Sequence, residues 1–217
     1  MLVAESGQRV VLPMRYQCRI AGKRLNYDVR FPNTYNARRD NLEGCWKPCF
    51  GDTHGIMVVD VFYENVSKAK AEGRTLAEGE KDENLVAEFR PEDDQPMPVA
   101  CLWSRWTAPG QPDLMSFAAI TDKPPPEVAA AGHDRGIIPI KPENVEAWLH
   151  PDPSRRWSRN KQGSSPREKS KAQRTPCVWK VSAHPRTASD SRSKSERRSC
   201  FVVAGPHSGD KPARMRP

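Results

Sequence analysis

The stretch from His54 to Tyr63, HGIMVVDVFY, constrains the fold of this chain more than any other segment of its length. β-branched and aromatic residues crowd it, and its apolar positions nearly run together instead of alternating with polar ones. A strand of that kind is covered on both faces, so it requires neighbouring strands and a layer above and below. It is far shorter than the ~20 apolar residues of a membrane span. Four further segments are β-prone: residues 9–19, which Pro13 places at an edge or interrupts, and residues 84–89, 97–106 and 114–121. The turn-forming residues of 91–96 and of Pro109-Gly110-Gln111-Pro112 separate them.

Helical patterns come late. Residues 126–131 suit a short helix. Residues 141–150 place Pro142 at a first helical position, put Val145, Trp148 and Leu149 on one face, and stop at Pro151. Residues 68–81 are polar and read as a surface insertion. The expected fold class is α+β: a bent antiparallel sheet or open barrel with flanking helices.

Charge divides the chain in two. Its 217 residues carry a formal charge of +8, but residues 154–217 hold 17 Lys/Arg against 4 Asp/Glu, while residues 1–153 are net negative. The C-terminal stretch also has 12 serines and few large apolar residues. It is therefore expected to be a disordered basic tail, apart from a short strand around 177–181. The foldable domain is expected to span 1–153. Within that domain, eight basic residues against Asp28 alone lie between Arg9 and Arg39, interleaved with Tyr16, Tyr27, Phe31 and Tyr35. This suits a single-strand nucleic-acid groove and equally an ordinary charged surface. Ten acidic residues against five basic lie between Glu64 and Asp94, which reads as a solvated face.

P-loop, dinucleotide-binding, nucleophile-elbow and zincin motifs are absent from the sequence. Cys45 and Cys49 are separated by three intervening residues with no histidine pair beside them, so no metal and no cofactor are called for. Six irregularly spaced cysteines, with no charged-then-apolar leader, lead to the expectation of a reduced, cytoplasmic protein without a membrane anchor. Three polar residues stand at informative places: Asn36 before an arginine pair, Glu64 at the end of the apolar strand, and His133 after the short helix. Singly each has a plain structural reading, as a turn asparagine, a strand-end carboxylate and a loop histidine.

Their order along the chain carries more. Tyr35-Asn36-Ala37-Arg38, Val61-Phe62-Tyr63-Glu64, Ala100-Cys101-Leu102-Trp103 with Trp106, Ser116-Phe117 with Ile120-Thr121, His133-Asp134-Arg135, and Lys141-Pro142-Glu143 through Trp148-Leu149 follow one another. This succession, over residues 9–153, resembles the SOS response-associated peptidase (SRAP) family of abasic-site processing proteins. The resemblance implies a monomer that binds single-stranded DNA at an abasic site during the DNA damage response and forms a covalent protein–DNA cross-link there. In the family a cysteine following the initiator methionine is exposed by peptidase-like autoprocessing. It attacks the sugar aldehyde with amine and then thiol, and lyase activity accompanies this chemistry.

Carried over residue by residue, the resemblance makes Asn36 the group that orients the sugar. Glu64 becomes the proton shuttle and His133 the support for sugar and phosphate, with Arg15, Arg38 and Arg39 as phosphate contacts. The sequence departs from the family in having Leu2 at the second position. Two readings of that departure are open: a start internal to a longer gene, or loss of the reactive terminus together with the reading frame near residue 154. The alternative function is accordingly a non-catalytic single-strand binder, or a degenerate remnant, on the same fold.

Overall fold

The computed structural model describes residues 1–151, 179–185 and 200–203, and shows a mixed α+β fold built on one large open sheet. Its strands are β1 (Leu2–Glu5), β2 (Gln8–Val11), β3 (Arg15–Tyr16), β4 (Asn36–Arg38), β5 (His54–Ser67), β6 (Asn84–Pro91), β7 (Met97–Trp106), β8 (Leu114–Asp122), β9 (Gly136–Ile137), β10 (Trp179–Pro185) and β11 (Cys200–Val203). The main path runs β10-β6-β5-β7-β8-β3, and the sheet does not close. Short helices α1 (Tyr27–Arg30), α2 (Lys68–Ala71), α3 (Pro126–Ala130) and α4 (Val145–Leu149) flank it.

The apolar run forms the middle of this sheet, as its composition requires. Residues 54–59 of β5 pair with β7 and residues 62–67 pair with β6, so one strand changes neighbour midway and the sheet bends around it. β7 and β8 are buried on both faces. Val99, Cys101, Phe117 and Ala119 enter one apolar cluster, and Ala100, Leu102, Ala118 and Ile120 enter a second on the other side. Val128 of α3 and Phe89 of β6 complete the first cluster; Trp46, Cys49 and Leu149 of α4 complete the second.

The pairing register of β5 contains a step. Val61 opposes Val202 while Val59 opposes Val203, leaving Asp60 as an extra residue. Strand side chains alternate faces, so one extra residue reverses the alternation beyond it. Met57 and Val59 therefore share the first cluster with Phe62 and Val66.

Pro13 interrupts the segment 9–19, one of the two outcomes expected of it, and leaves β2 and β3 on either side. Other expectations are corrected. The sheet is not wholly antiparallel: β3 and β4 both lie parallel to β8. The helix expected over 141–150 is a 3-10 turn at Pro142–Asn144 followed by α4. In the C-terminal stretch, the short strand expected around 177–181 is found as Trp179–Pro185, antiparallel to β6, and a second strand that was not expected, Cys200–Val203, pairs with β5. The β5 backbone gives that second segment hydrogen-bonding partners that its own composition does not advertise. Cys177, where the tail strand was expected to begin, lies outside the described residues.

Candidate functional site

Glu64 sits between Phe62 and Val66 on β5 and directly opposite Ala87 of β6. Those three residues line the first cluster, so the carboxylate faces the same side. It is 6% exposed. A carboxylate that far from water needs a partner, and His133 supplies one: its Nε2 lies 3.2 Å from Glu64 Oε2.

His133 is delivered by α3. Its amide hydrogen-bonds to the carbonyl of Val128, whose side chain is buried in the core. Gly132, with φ at +90°, makes the turn, and its lack of a Cβ lets the Lys70 side chain pass beside it. The other ring nitrogen, Nδ1, lies 2.8 Å from the carbonyl oxygen of Arg135 and accepts from the Arg135 amide at 3.3 Å. A protonated Nδ1 donates to that carbonyl and a bare one accepts that N–H. The ring is thus satisfied in either protonation state, as a group that passes protons requires.

Asn36 approaches from the other side of the sheet's centre. Ala37 packs into the second cluster, which turns Asn36 and Arg38 to the first face. Asn36 opposes Ala119 of β8, a member of the first cluster. The Tyr16 hydroxyl donates to Asn36 Oδ1 at 3.5 Å, and the Tyr16 ring is held between Tyr35 and Phe117 at centroid distances of 5.0 and 5.2 Å. With its oxygen so engaged, the carboxamide presents its N–H groups elsewhere. The residue after Tyr16, Gln17, has φ at 92°, a strained backbone where β3 ends.

The loop carrying His133 joins the two halves. Asp134 and Arg135 interact electrostatically with Arg38 and Asp40 at the end of β4. Glu64 and His133 are thus in direct contact, while Asn36 and Arg38 turn to the same face of the sheet.

The expected arginines are all engaged with carboxylates. Arg38 pairs with Asp40 at 2.5 Å in an exposed bridge, and Arg39 pairs with Asp122 at 2.6 Å. Arg15 pairs at 2.6 Å with Asp28, a carboxylate only 2% exposed that Arg19 also clamps at 2.7 Å. Burial pushes the Asp28 carboxyl up, but the Arg19 and Arg15 guanidiniums prevail and hold it below the ordinary range. The basic stretch before Asn36 is thus partly a structural clamp around Asp28. Sequence reading missed this because Asp28 is its lone acid. The role of Tyr16 was missed too, since only the parallel pairing of β3 and β4 on β8 brings its hydroxyl to Asn36. Among the described residues no group of three or more His, Cys, Asp or Glu side chains is placed to hold a metal ion. No helix among them is long and apolar enough to cross a membrane.

The model of the SOS response associated peptidase (SRAP) family matches residues 2–183, past the end of the motif order recognised in the sequence and into β10. A crystal structure of a protein from Bordetella bronchiseptica superposes with a TM-score of 0.60 at 16% identity, covering 84% of this chain and 81% of that one. A protein from Bacteroides thetaiotaomicron gives a TM-score of 0.54 at 16% identity over 73% of this chain and 63% of its own length. These two likenesses concern the fold. No curated protein matches by sequence.

Proposed function

The chain belongs to the SOS response-associated peptidase (SRAP) family, and from that premise we propose that it processes abasic sites in single-stranded DNA, holding the opened sugar over Glu64 and His133 while a covalent protein–DNA link forms. The family places the chain in the DNA-damage theme of abasic-site processing. The observation that carries the finer reading is the Glu64–His133 contact, a recessed carboxylate and an imidazole at 3.2 Å.

The chemistry asks for such a pair. An abasic deoxyribose closes on itself as a hemiacetal. Opening it to the aldehyde takes a proton from the C1 hydroxyl and returns one to the ring oxygen. Condensation of a protein amine with the aldehyde then expels water, which requires a proton on the departing oxygen. In this reading the Glu64 carboxylate accepts and His133 donates, and the Arg135 backbone accommodates both states of the ring. Asn36, held by Tyr16, donates to a sugar oxygen.

Arg38 is the first phosphate contact. Its bridge to Asp40 is solvent-exposed, so exchanging that carboxylate for a phosphate costs little. Arg39 and Arg15 are held on more recessed carboxylates and act later or through the fold.

The test is incubation of the purified chain with an abasic single-stranded oligonucleotide, resolved on denaturing and native gels beside an active family member. A slow band that survives denaturation, and that weakens in Glu64→Gln and His133→Ala, is the expected result. A native shift without a denaturation-resistant band converts the reading to single-strand binding alone. No shift in either gel removes it.

A further inference from the structure

The Glu64–His133 contact closes a ring of chain, and that ring carries a cation with no part in the site as described so far. β5 runs on from Glu64 through Val66 to Ser67, whose hydroxyl accepts the Lys70 amide at 3.1 Å and starts α2. Ala69, 3% exposed, fixes the short helix to the fold. The Lys70 stem then lies along Gly132: a Cβ added there would meet Lys70 Cβ, Cδ and Cγ at 3.0, 3.4 and 3.8 Å. The next residue is His133, whose Nε2 returns to Glu64 at 3.2 Å.

The other cations of this segment are engaged. Lys68 Nζ lies 2.7 Å from Glu83, and Arg74 pairs with Glu72 and Glu80 at 2.9 and 2.7 Å. Lys70 is exposed, and among the described residues its ammonium takes no carboxylate. Three carbons of its stem are therefore held against the His133 loop, while the charged end stands clear of the contact. Access to the acid–base pair is one-sided, because the His133 side chain keeps 23% of its surface exposed and that of Glu64 only 7%. A sugar reaching the pair comes in over His133 and so beside Lys70. In a DNA strand that sugar brings a phosphate on each side, and an ammonium is a compact point charge suited to one.

We propose, resting on the abasic-site reading above, that Lys70 is a substrate-binding residue whose ammonium holds one of the two phosphates flanking the abasic sugar. Packing on Gly132 fixes the stem beforehand, so less side-chain freedom is lost when the phosphate arrives. The polar insertion that follows β5 thus contributes to the site, through the same loop that delivers His133.

The experiment measures binding of the full chain to a single-stranded oligonucleotide carrying a tetrahydrofuran abasic analogue, which has no aldehyde and cannot cross-link. Fluorescence anisotropy is followed across a salt series. Lys70→Gln keeps Cβ, Cγ and Cδ, the atoms that touch Gly132, and removes only the ammonium. It should weaken binding by about two- to fivefold and lower the log–log salt slope by about 0.7. Lys70→Arg should restore the slope, and Lys68→Gln should leave it at the wild-type value because that ammonium is engaged with Glu83. A neutral methylphosphonate at each flanking linkage in turn should weaken the wild type at both, yet leave Lys70→Gln no weaker at one of them. An unchanged slope in Lys70→Gln, an equal fall in Lys68→Gln, or losses that add at both linkages overturn the role of Lys70 while the abasic-site reading stands. A wild type that does not bind the oligonucleotide overturns both.

Discussion

His54 opens the apolar strand, and its ring ties three pieces of the fold together. It stacks on Trp148 of α4 at 4.0 Å and on Phe50 at 5.7 Å. Nε2 accepts the Gly51 amide at 2.9 Å and Nδ1 donates to the Trp148 carbonyl at 2.9 Å. This pattern needs a neutral imidazole with its proton on Nδ1; adding a second proton destroys the acceptor that Gly51 uses. Burial lowers the His54 pKa to about 4, from an ordinary value of 6.5.

The folded pKa lies below the unfolded one, so the unfolded chain takes up a proton first as pH falls. The neutral ring's contribution is complete above pH 6.5 and drains away between 6.5 and about 4. At 1.36 kcal/mol per unit the full span is about 3 kcal/mol, with about 2 kcal/mol already lost at pH 5.

His54→Phe keeps the stacking and removes the titration. It starts less stable at pH 7, because the Gly51 N–H and the Trp148 carbonyl lose their partner. Urea unfolding followed by tryptophan fluorescence at pH 7, 6, 5 and 4.5 should give a wild-type curve that falls by about 2 kcal/mol more than the variant's between pH 7 and 5. Parallel curves would refute the reasoning. So would a wild type whose excess loss begins only below pH 4.

Three further expectations concern the site and its support. Glu64→Gln and His133→Ala should each slow formation of the denaturation-resistant DNA band by about 10²–10⁴-fold in single-turnover gels. The double variant should be little worse than the slower single, since the two act as one unit; multiplicative losses would separate them. Arg38→Ala should lower the log–log salt slope of single-strand binding by about one, and an unchanged slope would remove Arg38 from the phosphate contacts. Asp28→Ala leaves Arg15 and Arg19 facing each other without their shared carboxylate. Because Arg15 is 37% exposed, the cost should be nearer about 2 kcal/mol than the 3–5 of a fully buried pair. Urea unfolding showing under about 0.5 kcal/mol would contradict the clamp.

Much of the fold was legible because it is local. The composition of 54–63 marks a strand covered on both faces, and the patterns over 97–106 and 114–121 give β7 and β8 within a residue. Propensity and turn residues act over a few positions and can be read there. The order of motifs from Asn36 to Leu149 was equally legible and led to the family that matches residues 2–183. Tertiary structure decided what has no local signature. The extra residue Asp60 in β5 sets which face Glu64 takes; without it, the carboxylate would point away from Asn36 and from the apolar cluster it borders. Period-two alternation is unforgiving, and a single unpaired residue reverses it without any mark in the composition. The fate of Arg15, clamped on Asp28 with Arg19, likewise depends on a contact between β3 and α1. The strand at 200–203 finds its hydrogen-bonding partners on β5, and the basic, serine-rich sequence around it does not announce that. The sequence by itself supplied the strands and the chemically useful residues; long-range pairing chose which of those residues share a face.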